Sequence, residues 1–288
     1  MKTLTYSAYL LISLVFFISC KKEYSSETGT LPVIDTLRNN CKLKELIEKD
    51  AVSGRAEYAY ISTYNSSNVV SRIVLFDSIN NVTDNSFPVS YPANRVQIDA
   101  NQYFLTAADG KVTEFHGYEY PNDPSSSKIT AKYSYNALNQ LSQRTEENDS
   151  FPGRVTFHMD YTYTNNNLTK AVASVFNGIG FQVVAEITYE YDASKTVKNF
   201  LFLHALAPDI IYFQTAIKAG LNSVNAIRKA TLKFTDPLTG IQITRTSNFT
   251  NFIIDAKNFV KSFDLTGDDF DVAGLYAGQR YVLNYFCF

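Results

Sequence analysis

The chain has 288 residues with 26 Lys plus Arg against 28 Asp plus Glu, and this near-balance, without a basic stripe, excludes nucleic acid as a natural partner. Twenty Tyr and 21 Phe with no Trp favour strands over helices, because aromatic rings pack well on a pleated surface. Roughly 250 residues beyond the leader suffice for one large β domain.

In chain order, Lys2 supplies a positive n-region, Leu10 to Ile18 form an apolar h-region too short to span a bilayer, and small Ser19 precedes Cys20. Residues 1–19 therefore read as a signal peptide. The tetrad Phe17-Ile18-Ser19-Cys20 resembles the lipobox of bacterial lipoproteins, with Phe17 where leucine is usual. That resemblance implies an acylated Cys20, with palmitate among its chains, and a membrane as partner through this anchor. Lys21-Lys22-Glu23 is similar to the sorting signal of outer-membrane lipoproteins, and in part to the Lys-plus-acid export signal of Bacteroidetes-type lipoproteins. It implies an outer-membrane lipoprotein, with the cell surface favoured over the periplasmic face. Residues 20–40, rich in Ser, Thr, Glu, Gly and Pro, read as a tether that cannot bury enough apolar area to order itself.

The folded domain is expected to run from 41 to 288. Leu43, Leu46 and Ile47 recur at helical spacing and predict a short helix over Cys41 to Lys49. With Cys20 acylated, Cys41 and Cys287 remain, and an oxidising envelope makes them a disulfide candidate, with two buried free thiols as the alternative.

From about 104 to 200 the chain repeats itself. Ile129, Ala131, Tyr133 and Tyr135 alternate with Thr130, Lys132, Ser134 and Asn136. Val155, Phe157, Met159, Tyr161 and Tyr163 alternate with polar residues in the same way, as do Ala185, Ile187, Tyr189 and Tyr191. A period of two gives each strand one apolar and one wet face, which suits antiparallel sheet. After each Tyr pair the chain is expected to turn: at Asn136 to Gln140, at Asn165 to Asn167 and at Asp192 to Lys195, with Asp109-Gly110 as an earlier copy. The pattern Tyr-x-Tyr, turn, apolar resembles the YD repeats of Rhs-type proteins. With the early Cys41 and the late Tyr285-Phe286-Cys287, it resembles still more the uncharacterised Bacteroidetes cell-envelope lipoproteins that carry such strands. The resemblance implies a fold and a location and brings no activity.

Between Pro208 and Ala219, Ile210, Phe213, Ile217 and Leu221 predict a second helix ending at Gly220. C-terminal strands complete the 201–288 region, with a hairpin at Asp236 to Gly240 and a last strand through Tyr281, Leu283, Tyr285 and Cys287. The fold expected is mainly all-β: a repeat-built antiparallel meander, curved or rolled into a half-barrel, with two short packing helices.

No phosphate loop, GxSxG, HExxH or CxxC motif occurs, so neither a cofactor nor an enzymatic activity is called for. The reading is a non-enzymatic binding module for a glycan, another envelope polymer or an envelope protein. Tyr133, Tyr135, Tyr161, Tyr163, Tyr189 and Tyr191 are its candidate contact residues, weighed against core packing. Asp264, Asp268, Asp269 and Asp271 form a candidate calcium loop, weighed against a solvated turn. His158 and Asp160 share a wet face, and Glu146, Glu147 and Asp149 make a second acidic group. Alternatives are a half-barrel that carries lipid in an unfilled interior, and a hydrolase using scattered acids.

Overall fold

The computed structural model describes residues 41–198, 200–201, 203–236 and 239–287; the expected signal peptide, Cys20 and the expected 20–40 tether lie outside the described residues. Strands β1 (Cys41–Asp50), β2 (Ala56–Tyr64), β3 (Val70–Asp77), β4 (Val82–Pro88), β5 (Arg95–Gln97) and β6 (Tyr103–Thr106) open the domain. They are followed by β7 (Val112–Tyr118), β8 (Lys128–Tyr135), β9 (Leu141–Asn148), β10 (Val155–Thr164), β11 (Asn167–Phe176) and β12 (Phe181–Thr196). A short helix, α1 (Pro208–Phe213), then precedes β13 (Asn225–Thr235), β14 (Gln242–Ile254), β15 (Val260–Gly267) and β16 (Gln279–Cys287). One turn of 3-10 helix, Asp271–Ala273, lies between the last two strands.

All sixteen strands belong to one antiparallel meander in the order β4-β3-β2-β1-β16-β15 and on down to β5. The first and last strands pair with each other, and the Cys41–Cys287 disulfide crosses that pair. The sheet edges are thus β4 and β5, which are neighbours in sequence. No ladder joins these two edges, so the sheet is not closed into a barrel; one isolated bridge, Ser90 to Gln97, lies at the seam.

Inside the curl runs the connection from β12 to β13. Phe213 packs on Phe87 of β4 and Phe104 of β6, with ring centroids 5.2 and 5.8 Å away, while Phe200 meets Phe263 of β15 at 5.5 Å. Strands from opposite parts of the order touch one segment, so the sheet must wrap around it. Leu203, Ala205, Ala207, Ile210, Phe213, Ala216, Ile217 and Ala219 are all buried. The inward face of the sheet gains its cover from this piece of its own chain, which is how one-sided strands avoid leaving apolar area in water.

The Asn165-Asn166 pair turns the chain as expected. Asn165 and Asn166 both take positive φ, 50° and 60°, which a two-residue hairpin turn requires, and Thr164 then faces Asn167. Asn167 is therefore the first residue of β11 rather than part of the turn. Asn139 (φ 60°) and Gly110 (φ 80°) serve the same purpose after β8 and β6.

Three expectations are corrected. Cys41 to Lys49 is a strand, because a bulge between Leu43 and Leu46 shifts the inward phase by one residue and turns a two-residue alternation into a spacing that imitates a helix. After Tyr189 and Tyr191 there is no hairpin: residues 193–195 bulge out of β12 around Asp192, the strand resumes pairing at Thr196, and the chain then leaves the sheet for the interior. The helix after Pro208 stops at Phe213, since the segment must fit its surroundings and not its own periodicity.

Because Cys41 and Cys287 hold together the two strands on which the meander closes, we expect the Cys41→Ser, Cys287→Ser double variant to lose about 2–5 kcal/mol. Urea unfolding against the oxidised parent checks this; an unchanged midpoint would mean the bond adds nothing to the β1–β16 ladder.

Candidate functional site

All six candidate tyrosines point inward, and they divide into two sets with different duties. The second Tyr of each pair reaches back to the previous hairpin: Tyr135 donates to the Val112 carbonyl at 2.8 Å, Tyr163 to Leu141 at 2.9 Å and Tyr191 to Leu168 at 2.8 Å. Each acceptor is the apolar residue that follows a turn, so the Tyr-x-Tyr, turn, apolar pattern is a set of staples between successive hairpins. Tyr64 does the same to Leu43 at 2.8 Å. The first Tyr of each pair holds the interior segment instead. Tyr189 donates to the Leu203 carbonyl at 3.0 Å, Tyr161 to Ala205 at 3.5 Å, and Tyr133 to the Asp209 carboxylate. Burial raises the pKa of all six phenols, which keeps their donors protonated. Their hydroxyls are engaged within the protein.

Asp209 is the centre of a buried ionic cluster. Arg144 on β9 binds it through Nη2 at 3.0 Å and Nε at 3.1 Å, and reaches Glu146 on the same strand through Nη1 at 2.9 Å. Arg144 and Asp209 are each 1% exposed, so either charge alone would be strongly unfavourable here. The cluster fastens α1 to the sheet. Half-buried Glu119, just past β7, lies within electrostatic reach of Glu146. Burial first, and Glu146 second, push its carboxyl up to about 7, against a smaller pull from Arg144. The acidic group read from the sequence is thereby divided: Glu146 points inward, whereas Glu147 faces out and pairs with Lys132 at 2.6 Å. Glu119 carried no sequence signal, because its partner is distant along the chain.

The pocket beside His204, lined by Leu168, Tyr191, Leu203 and Asn222, offers about 10 Å³, room for about one water. This pocket is too small for an acyl chain. His204 Nε2 lies 2.6 Å from the Tyr163 hydroxyl, and burial pushes its pKa down to about 3, leaving a neutral ring.

The C-terminal carboxylates take separate partners. Asp264 accepts from Arg280 Nε at 2.6 Å, Asp268 from the Thr246 amide at 2.6 Å, Asp269 from the Ala277 amide at 2.7 Å and Asp271 from the Val272 amide at 3.0 Å. Among the described residues no three His, Cys, Asp or Glu side chains are grouped to hold a metal ion. His158 pairs with Asp160 at 3.2 Å on the outward face and stacks on Phe181.

That outward face is polar. Following the ladder from β8 to β14, one outward row reads Ser134, Gln143, Asp160, Val172, Glu186, Lys233, Thr244. The next reads Thr162, Lys170, Thr188, Thr231, Thr246. One residue of these twelve is apolar. An exception lies on β1 to β3, where Ile47, Ala59, Ile61, Val74 and Phe76 share the outward side.

No protein-family model matches the chain, and no curated protein sequence does. Among solved structures the fold is similar to a porin-like protein from Bacteroides uniformis, with a TM-score of 0.55 and 14% identity over 93% of this chain and 99% of that one. It is also similar to a porin-like protein from Bacteroides vulgatus, with a TM-score of 0.53 and 11% identity over 85% of this chain and 98% of that one. At such identities the likeness is one of fold. The side-chain pattern of β8 to β14 is the reverse of a membrane barrel, which turns an apolar band to lipid and a polar wall to its lumen.

Two outcomes follow from the cluster. Asp209→Ala should cost about 2–4 kcal/mol in urea unfolding, since Arg144 keeps only Glu146 as a partner and the Tyr133 hydroxyl loses its acceptor; a loss below 1 kcal/mol would mean that water reaches the guanidinium. Glu119 binds its proton more tightly folded than unfolded, so its contribution is lost as pH rises from the unfolded carboxyl range through about 7. Glu119→Gln should therefore be near neutral at pH 4 and raise Tm at pH 8 by roughly 2–4 °C, allowing for solvent screening. A shift of equal size at both pH values would separate the effect from ionisation.

Proposed function

We propose that the protein is a lipid-anchored envelope protein whose folded domain works in water as a non-enzymatic binding module for an envelope or extracellular polymer or a partner protein. The observation that carries this reading is the state of the inward face. Its tyrosine hydroxyls staple hairpins or hold the interior segment, so binding falls to the outer surface and the rims. A polar outward face on β8 to β14 supports a domain that stands in water beside the membrane rather than within it. Cys20, in its lipobox-like setting, is the anchor, and the outer membrane the membrane concerned, with the cell surface ahead of the periplasmic face.

A hydrolase is favoured by one feature, the Glu119 carboxyl held near neutrality next to Glu146, the condition a general acid needs. Its test is Glu119→Gln, which would abolish polymer turnover if Glu119 is the acid and leave binding intact.

The anchor is tested by feeding cells an alkyne-bearing fatty acid and comparing the parent with Cys20→Ser. Label on the parent alone is the expected result; label on both, or on neither, would refute acylation at Cys20. Protease treatment of intact and lysed cells then separates surface from periplasm, with digestion in intact cells expected.

A further inference from the structure

In an antiparallel meander alternate turns lie at opposite ends, and the two rims of this sheet are built differently. The near rim holds Cys41, Cys287, both mouths of the interior segment and the turns at 65–69, 107–111, 136–140, 165–166 and 255–259. These turns use Asn in the left-handed region, at Asn68, Asn139, Asn165, Asn166 and Asn258, with Gly110 in the remaining one. Leu138 on them and Ile253 just before the last are the large apolar side chains exposed here, each 60%, while Tyr91 lies on the β4–β5 connection and Leu221 and Val224 flank the exit of the interior segment.

The far rim is turned mainly by glycine, and its glycine turns carry apolar side chains. Val52 lies two residues before Gly54, Phe151 two before Gly153, Ile179 between Gly178 and Gly180, and Ile241 after Gly240. Ile79 occupies the β3–β4 turn. Val52 and Ile179 are each 97% exposed, which leaves them almost no protein contact, while Ile241 is 62%, Ile79 42% and Phe151 38% exposed. Phe181 and Val183 extend the apolar surface down the β11–β12 hairpin. That hairpin stands above its neighbour, because pairing of β12 with β13 begins only at Ala185. Arg154 lies over the Phe176 ring at its base.

Five apolar tips spread around a rim do not make the contiguous core of a protein interface. They do suit a flat apolar medium that every tip can enter separately. The twenty positions between Cys20 and Cys41 reach at most roughly 70 Å when extended, whereas a ten-residue strand such as β10 is about 33 Å long. An anchor on the near-rim side therefore leaves either rim free to meet the bilayer, and the side chains decide which does.

We propose that the far rim, through Val52, Ile79, Phe151, Ile179 and Ile241, is seated on the lipid surface to which Cys20 is anchored. This rests on the reading of Cys20 as acylated. Shallow insertion of a few side chains is reversible by itself, and the anchor makes it effective by holding the rim at high local concentration. The domain then lies with its near rim, including the mouths of the interior segment, turned away from the membrane.

The chain has no Trp, so single reporters can be placed on a dark background. Full-length acylated protein carrying Ile179→Trp, Leu138→Trp or Val74→Trp is reconstituted into phosphatidylethanolamine and phosphatidylglycerol vesicles with brominated acyl chains. We expect a blue shift and bromine quenching for Ile179→Trp and neither for the other two, and adding Val52→Asp with Phe151→Asp should reverse the quenching. Quenching at Leu138→Trp alone would invert the orientation, and quenching at Val74→Trp alone would transfer contact to the β1–β3 face; either overturns the proposal. A blue shift of Ile179→Trp that grows with protein concentration in vesicle-free detergent, without bromine quenching in vesicles, would assign the rim to a second copy. A chain that does not float with the vesicles refutes the anchor and the seating together. One that floats with all three reporters unquenched leaves the anchor standing and overturns the seating.

Discussion

A strand that alternates apolar and polar side chains can satisfy only one of its faces with water, and sixteen such strands in a row multiply the problem. Here the sheet curls around the connection between β12 and β13, so that Phe213 meets β4 and β6 while Phe200 meets β15. Everything else in the domain is arranged about that burial. The segment has little regular structure of its own, and its backbone groups must find partners inside the sheet. Tyr161 and Tyr189 supply two of them by donating to the Ala205 and Leu203 carbonyls. The Val112 amide donates to Lys218 and the Leu206 amide to Val272. Asn167 accepts from the Val224 and Asn225 amides, both at 3.0 Å, where the segment rejoins the sheet.

The tyrosine repeat is therefore structural grammar more than a binding surface. A phenol is long enough to cross from one strand to the carbonyl of another hairpin, and its ring adds apolar area on the way. Phenylalanine at the same places would fill the space but leave a carbonyl unpaired. Threonine or serine would not reach. The repeated unit adds a side-chain tie between each hairpin and the one before it, on top of the backbone ladder that already joins them.

Likeness to porin-like proteins and a wet outer face are compatible once fold and polarity are treated as separate properties. Strand number and order describe how backbones pair, whereas the choice of which side chains point outward decides the solvent in which the sheet can stand. In β8 to β14 that choice is Thr, Lys, Glu and Ser, and ion pairs such as Lys170 with Glu186 at 2.6 Å lie across it. The apolar residues left outside include turn tips, a strip of β1 to β3, and Phe181, Val183 and Ile253 near strand ends.

Much of this was legible in the chain. Period-two alternation specified the strands from Ile129 to Tyr191 and which face was apolar, and the Asn165-Asn166 pair specified its hairpin, because both are local properties of backbone and side-chain geometry. Cys287 was legible as the partner of Cys41 once Cys20 is read as acylated. Other features depended on neighbours that sequence does not display. The leucines after Cys41 carry a helical spacing that a bulge converts to strand. Asp192 carries a turn signal where the strand bulges and then resumes pairing. Asp209 joins Arg144 and Glu146 only because the interior segment brings α1 against β9, and Glu119 nears Glu146 only because the sheet folds the end of β7 toward β9. What the amino-acid sequence determined alone was alternation and turning; what tertiary structure decided was which apolar face covered which, since burial is settled between residues far apart in the chain and leaves no period to read.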